Sequence, residues 1–199
     1  MERVTPSEVS DADLVARCRR GEGAAFDALV LRHQQRAVNV AYQLLRNVED
    51  AREVAQDAFV RVYRNINEFR GDCEFTTWLH QIVVNLARNK HRWWRRRGRP
   101  ATVSLDCPVE TAEGDAARQF AAPGAAPDTQ VANAEFVQRV GAAMGELPAT
   151  FREALVLRNV EQLSYEEIAA TLGCSIGTVK SRIARAREAL RERMKDELR

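Results

Sequence analysis

The segment Ser164 to Arg187, SYEEIAATLGCSIGTVKSRIARAR, leaves little freedom in how this stretch of chain can fold. Ser164 followed three residues later by Glu167 is a capping box, which gives a first helix a defined start. Ile168, Ala169 and Leu172 form an apolar face on that helix, and Gly173 supplies a tight turn. Val179 and Ile183 recur at helical spacing, so a second helix packs back across the first. What remains outward on the second helix is Thr178, Lys180, Ser181, Arg182 and Arg185. Hydroxyl, ammonium and guanidinium groups on one helix suit phosphates and base edges, so the unit reads as a helix-turn-helix of the kind that enters a DNA major groove.

The rest of the chain is also helical in pattern. Phe26, Leu29, Val30, His33, Ala37, Val40, Ala41, Leu44 and Leu45 make one apolar stripe. Ala51, Val54, Ala55, Ala58, Phe59, Val62, Tyr63 and Ile66 make a second, and Trp78, Leu79, Ile82, Val83, Leu86 and Ala87 a third. Three long amphipathic helices with a short one near Asp11 to Arg19 would close a compact bundle. His33 lies on an apolar stripe and reads as a core or boundary histidine, while His80 and His91 have no partner pattern. A further helix before Pro148, another from Pro148 to about Asn159 and the helix-turn-helix form a second unit, with Pro148 expected at the first helical position.

The formal net charge of +2 conceals a strong local segregation. Arg88 to Arg99 holds seven basic residues and no acid, whereas Pro100 to Ala134 holds five acids and one base. The second segment also contains Pro100, Pro108, Pro123, Pro127 and ten alanines without sustained periodicity, and reads as a flexible linker. As a random coil the 36 residues from Arg99 to Ala134 span about 30–36 Å, enough to join two sites a few DNA turns apart. The expected architecture is all-α: a bundle over residues 10–98, a linker over 99–134 and a helix-turn-helix domain over 135–195.

The face of the third stripe opposite the core carries Asn85, Arg88, Asn89, Arg92, Arg95 and Arg96. Asparagine reads base edges and arginine holds phosphate, which together make a surface for nucleic acid. The preceding loop, FRGDCEFTTW, sets Phe69, Phe75 and Trp78 among polar groups, an arrangement suited to capturing unpaired bases unless the rings are simply core. Trp93 and Trp94 point about 100° apart on a helix, so only one of them fits the core. The second stripe has a polar side of Asp50, Glu53, Gln56, Asp57, Arg61 and Arg64, either solvated surface or, since phosphate would repel its acids, a face for a protein partner.

The order of EVAQDAFVRVYRNINEFRGDCEFTTWLHQIVVNLARNK, a linker, and LPATFREALVLRNVEQLSYEEIAATLGCSIGTVKSRIARAREAL closely resembles bacterial RNA polymerase sigma factors of the sigma-70 family, extracytoplasmic-function type, near the sigma-E and sigma-W branch. The resemblance implies that the first domain melts and reads the −10 promoter element and the second reads the −35 element. It implies as partners core RNA polymerase (β′ clamp and β flap), promoter DNA and a controlling anti-sigma factor. Carried over by position, Glu53, Gln56 and Asp57 stand where the family meets the β′ clamp coiled coil. Arg70, Asp72, Cys73, Phe75, Trp78, Asn85, Arg88 and Asn89 stand where it holds −10 DNA. Arg158, Tyr165, Glu166, Thr178, Lys180, Ser181, Arg182 and Arg185 stand where it touches the −35 duplex. Ala184 is small where some relatives carry an aromatic, and Trp78 with Leu79, not Trp93 with Trp94, occupies the place of the housekeeping factors' tandem tryptophans.

Other classes fit less well. A free-standing helix-turn-helix regulator with the first block as a sensor would need a cavity with convergent polar groups, and the first block instead has a regular asparagine and arginine face. No catalytic triad, phosphate loop or acid pair stands at useful spacing, so no enzyme is indicated. Cys18, Cys73, Cys107 and Cys174 lie far apart without metal-ligand spacing, so neither a zinc site nor a disulfide framework nor any cofactor is expected. With no signal segment and no apolar run of membrane length, the chain is expected in the cytoplasm, without membrane insertion.

Overall fold

The computed structural model describes residues 9–98 and 138–195, and every regular element in them is an α-helix. In chain order these are α1 (Asp11–Arg19), α2 (Gly23–Leu45), α3 (Val48–Asn65), α4 (Phe75–Arg96), α5 (residues 138–145), α6 (Ala149–Asn159), α7 (Tyr165–Leu172) and α8 (Ile176–Arg193). The expected linker over residues 99–134 lies outside the described residues.

Local signals set most helix ends. Ser10 caps α1 by accepting from the Asp13 N–H at 3.1 Å, and Asn47 caps α3 by accepting from the Asp50 N–H at 2.9 Å. The helix-turn-helix is capped as its sequence predicts. Ser164 Oγ accepts from the Glu167 N–H at 3.1 Å, the Glu167 carboxylate accepts from the Ser164 N–H at 2.8 Å, and Gly173 ends α7 in the left-handed region at φ 64°. Pro148 departs from expectation by one position. It stands just before α6 with an extended ψ of 137°, its carbonyl accepting the first helical bonds from Phe151 and Arg152.

The three apolar stripes meet as α2, α3 and α4 pack together, with α1 laid on α2. Leu29, Val40, Leu45, Ala58, Val62, Leu79 and Val83 are essentially inaccessible. Burying one such aliphatic side chain contributes about 1.5–3 kcal/mol, so this face dominates the stability of the bundle. Two assignments need correction. Tyr63 stays 63% exposed at the edge of its stripe, leaning edge-to-face on Phe26 of α2 at the rim of an open groove. His80 is 1% exposed and lies against the second unit, a neighbour no local pattern could reveal.

All three histidines are structural. His33 Nε2 sits 2.7 Å from Asp11 and His91 Nε2 3.1 Å from the Leu44 carbonyl, and burial pushes both imidazoles below their ordinary value. The tryptophan pair divides as its spacing requires: Trp94 is buried edge-to-face on His91, while Trp93 is half-buried with the Arg97 guanidinium 4.5 Å from its ring centre.

The two helical units do not stand apart. α6 packs on α2 and α7 on α4, and a continuous apolar cluster runs through both units, including Leu155, Leu157 and Ile168.

Candidate nucleic-acid and polymerase interface

On α3 the side chains of Glu53, Gln56 and Asp57 are exposed, as a surface for a protein partner requires. Lys90 of α4 steadies this face, its ammonium 2.7 Å from Glu53 and 2.8 Å from the mostly buried Asp50. One turn further, Val60 and Tyr63 remain exposed beside a groove of about 710 Å³ lined by Phe26, Val30, Gln56 and Phe59. An apolar groove whose polar lining is Gln34, Arg52, Gln56 and Arg64 suits an amphipathic helix. Sequence reasoning found the acids but not the groove, because Phe26, Val30, Phe59 and Tyr63 had all been assigned to the core.

The loop before α4 is set by Gly71, whose φ of 82° belongs to the left-handed region that other residues seldom adopt. Arg19 anchors its start by donating to the Ile66 and Phe69 carbonyls. Arg70, Asp72 and Cys73 are exposed, but Phe75 is not. Its ring is buried against His33, Phe69 and Trp78, and Trp78 lies half-buried, stacked on Phe69 at 4.9 Å. Phe75 therefore shapes the loop from below, and the groups it offers outward are polar. Burial and the neighbouring Asp72, Glu167 and Glu74 charges push the Cys73 thiol up, so it stays neutral.

Along α4, Asn85, Asn89, Arg92, Arg95 and Arg96 are exposed on one face, and Asn89, Arg92, Arg95 and Arg96 line a shallow depression. Arg88 is the exception, and here expectation needs correcting. Its Nε donates to Glu153 Oε1 at 3.0 Å and its Nη2 to Oε2 at 2.7 Å, a bidentate pair with the second unit. Hydrogen bonding to Glu153 holds this guanidinium above its ordinary value despite partial burial. In this conformation Arg88 is occupied by protein.

In the second unit, Lys180, Ser181 and Arg185 are exposed on α8 and Glu166 on α7. Ser175 caps α8 from the Thr178 N–H at 3.2 Å and joins its hydroxyl to that of Thr178 at 2.9 Å, which orients the start of the helix. Tyr165 receives the Arg158 guanidinium at 4.9 Å and the Lys180 ammonium at 5.6 Å from its ring centre. Two cations on one aromatic ring form a preset basic cluster across α6, α7 and α8. Arg182 is half-buried, its Nη1 3.8 Å from Cys174 Sγ, and so is less available than its neighbours.

Sequence reasoning missed the seam between the units. Glu161 is buried, with Arg36 of α2 donating to its carboxylate and His80 Nε2 3.0 Å away, although neither His80 ring nitrogen is aligned for a hydrogen bond. Burial pushes the Glu161 carboxyl up, but His80 and Arg36 outweigh it and hold the group below the usual carboxylate range. Thr77 Oγ1 donates to Glu167 at 3.0 Å. The one local hint was Glu153 itself, an acid four residues before Leu157 on the inward face of α6. Among the described residues no group of three or more His, Cys, Asp or Glu side chains is placed to hold a metal ion, and no helix is long and apolar enough to cross a membrane.

Comparison with known proteins places this arrangement. The family described as sigma-70 region 2 matches residues 29–99, and that described as sigma-70, region 4 matches residues 138–190. The RNA polymerase sigma-H factor of Pseudomonas aeruginosa is 39% identical, over 92% of this chain and 93% of its own. The ECF RNA polymerase sigma-E factor of Escherichia coli K12 is 36% identical over 92% and 93%. Among solved structures, CnrH in complex with the cytosolic domain of CnrY aligns at a TM-score of 0.65 and 27% identity, covering 94% of this chain and 97% of that one. The sigma factor RpoE of Bartonella quintana, in complex with the anti-sigma factor NepR, aligns at 0.63 and 26%, covering 85% and 96%. With both family regions matched in order and relatives similar along nearly the whole length, the chain belongs to the sigma-70 family, in its extracytoplasmic-function group, and is a transcription-initiation factor and not an enzyme.

Proposed function

We propose that the chain binds core RNA polymerase in the cytoplasm through α3 and carries two separate DNA-reading faces to a promoter. Glu53, Gln56 and Asp57 meet the β′ clamp, with the groove beside Gln56 receiving apolar side chains of the same partner, and the second unit docks on the β flap. The loop from Arg70 to Cys73 with Asn85, Arg88 and Asn89 holds unpaired −10 bases, Phe75 and Trp78 forming the floor that sets the loop. Arg158, Tyr165, Glu166, Thr178, Lys180, Ser181 and Arg185 read the −35 duplex, with Arg182 in a supporting place.

One observation carries this reading. The amide and guanidinium side of α4 and the basic cluster around Tyr165 are two distinct nucleic-acid faces, while the exposed Glu53, Gln56 and Asp57 of α3 beside an apolar groove suit a protein partner. A chain with two DNA faces and one protein face is useful only when a partner holds both faces along one duplex. Control by an anti-sigma factor is part of the proposal: the relative from Bartonella quintana was solved with one, and the α3 groove offers such a partner a seat that excludes the polymerase.

Run-off transcription with core polymerase tests the proposal. Promoter-specific transcripts are expected only when chain and core are both present. A chain that shifts promoter duplex alone but never supports initiation would instead be a free-standing regulator.

A further inference from the structure

Two guanidiniums meet where the end of α2 comes against α5 and α6, and among the described residues no carboxylate pairs with either. Arg152 of α6 is 7% exposed, and its hydrogen bonding among those residues is confined to Nη2 donating to the Leu147 carbonyl at a limiting 3.5 Å. The adjacent acid, Glu153, has both carboxylate oxygens engaged by Arg88. Arg46 closes α2 in the left-handed backbone region at φ 55°, which glycine would occupy with less strain. Its Nη1 donates to Gln43 at 3.1 Å and its guanidinium lies 4.8 Å from the Tyr42 ring centre, while its buried Nε has no partner. Gly141 of α5 lies so close that a methyl there would collide with this guanidinium, so the packing fixes where Arg46 can stand.

Arg46 has an ordinary reason for its place, since a cation at the end of a helix complements the dipole. Arg152 has none. It lies in the first turn of α6, beside the positive end of the helix, where no acid and no capping side chain is present. Burial, and after it the charge of Arg46, pushes the Arg152 guanidinium below its ordinary value, against the weaker pull of Glu153. His91 of α4 stands in the same field, and burial with Arg152 among its neighbouring cations holds its imidazole low. A buried cation without a counter-charge is costly, and two that share one place are costlier. Such a pair is complementary to a compact dianion, and guanidinium forks match phosphate oxygens in both charge and spacing.

We propose that Arg152 and Arg46 form a binding site for a phosphate group, with Arg152 as the principal ligand and Arg46 completing the charge. The group is free inorganic phosphate or the terminal phosphate of a nucleotide, two sources with one chemistry. The inference uses none of the residues assigned to promoter DNA or to polymerase, so it stands or falls apart from the functional reading.

The test uses the full-length chain. Isothermal titration calorimetry reads binding of inorganic phosphate and of ATP, and urea unfolding reads the stabilisation each gives, with chloride holding the ionic strength constant. The urea midpoint is expected to rise with phosphate concentration, as it does for any ligand that binds only the folded chain. Equal affinity for the two probes would assign free phosphate, and tighter binding of ATP would assign a nucleotide. Arg152→Met is expected to be at least as stable as the wild type in chloride, because an unpaired buried cation has been removed, and to lose the response to phosphate. Arg46→Gln is expected to bind phosphate about tenfold more weakly or worse, as follows from loss of one hydrogen bond to a charged group. Arg92→Gln/Arg96→Gln, which removes two exposed guanidiniums of α4, is expected to respond as the wild type does. A midpoint no higher in phosphate than in chloride, or an undiminished response in Arg152→Met, would overturn the site. Should Arg152→Met fail to fold, an undiminished response in Arg46→Gln would overturn it equally. Loss of the response in the α4 control would place the anion on the exposed face of that helix and likewise overturn it.

Discussion

Replacing Glu53, Gln56 and Asp57 together with alanine separates folding from polymerase binding, because the structure predicts opposite magnitudes for the two. Glu53 has a side chain 60% exposed, paired with Lys90 at 2.7 Å. An ion pair this open to water contributes about 0–1 kcal/mol after screening. Lys90 keeps Asp50 at 2.8 Å when Glu53 is gone, so no ammonium is stranded. Gln56 and Asp57 are exposed positions inside a helix, where alanine has the higher intrinsic propensity by up to about 0.7 kcal/mol per residue. The net change in unfolding free energy is therefore within about 1 kcal/mol of zero. At the polymerase, by contrast, loss of one central contact of about 2 kcal/mol weakens binding about 30-fold, and loss of all three weakens it further. The assay pairs urea unfolding of the variant with competition between labelled wild-type chain and unlabelled variant for core polymerase. Undiminished competition by a folded variant would refute the assignment of this face, and a large loss of stability would refute the argument that its side chains are dispensable to the fold.

Gly173→Ala is expected to destabilise the second unit by about 1–2 kcal/mol through the left-handed backbone alone, since no atom lies within 4 Å of the added methyl; urea unfolding checks this. Ile168→Ala, at a fully buried position, is expected to cost about 2–5 kcal/mol in the same measurement. Lys180→Ala and Arg185→Ala are each expected to weaken −35 recognition by about 1–3 kcal/mol while strand opening on a pre-melted template survives. Asn85→Ala should do the reverse, and permanganate reactivity beside a −35 footprint distinguishes the two outcomes. Acid is expected to loosen the seam. Because Glu161 is held below its ordinary value of 4.5, its stabilisation is complete above about pH 4.5 and is lost as pH falls through its lower folded value. His33 acts in the same direction at higher pH: burial lowers its folded value, so the unfolded chain takes up the proton first and stability declines below about pH 6.5. Urea midpoints measured from pH 7 to pH 3 would show both phases, and a midpoint that rises on acidification would contradict them.

By itself the sequence determined the local elements and the chemistry each helix presents. Capping at Ser164 and the turn at Gly173 need only residues three to nine apart, and the span Asp11–Arg19 and the apolar stripes follow from helical period, so all were legible without a structure. The outward character of Glu53, Gln56, Asp57, Asn85, Asn89, Lys180 and Arg185 followed from the same periodicity, because a helix that buries one side must expose the other. Tertiary structure decided how much of each stripe is covered. Tyr63 reads as core, yet with Val60 it borders an open groove, because coverage depends on how the helices pack and not on hydrophobicity. It also decided which polar groups pair at long range. Arg88 with Glu153, Arg36 with Glu161 and His80 with Glu161 join residues 65 or more apart in sequence, set by the docking of α6 on α2 and α7 on α4. A guanidinium on a helix surface looks the same in sequence whether it faces water, phosphate or a buried carboxylate, and only the packed chain distinguishes the three.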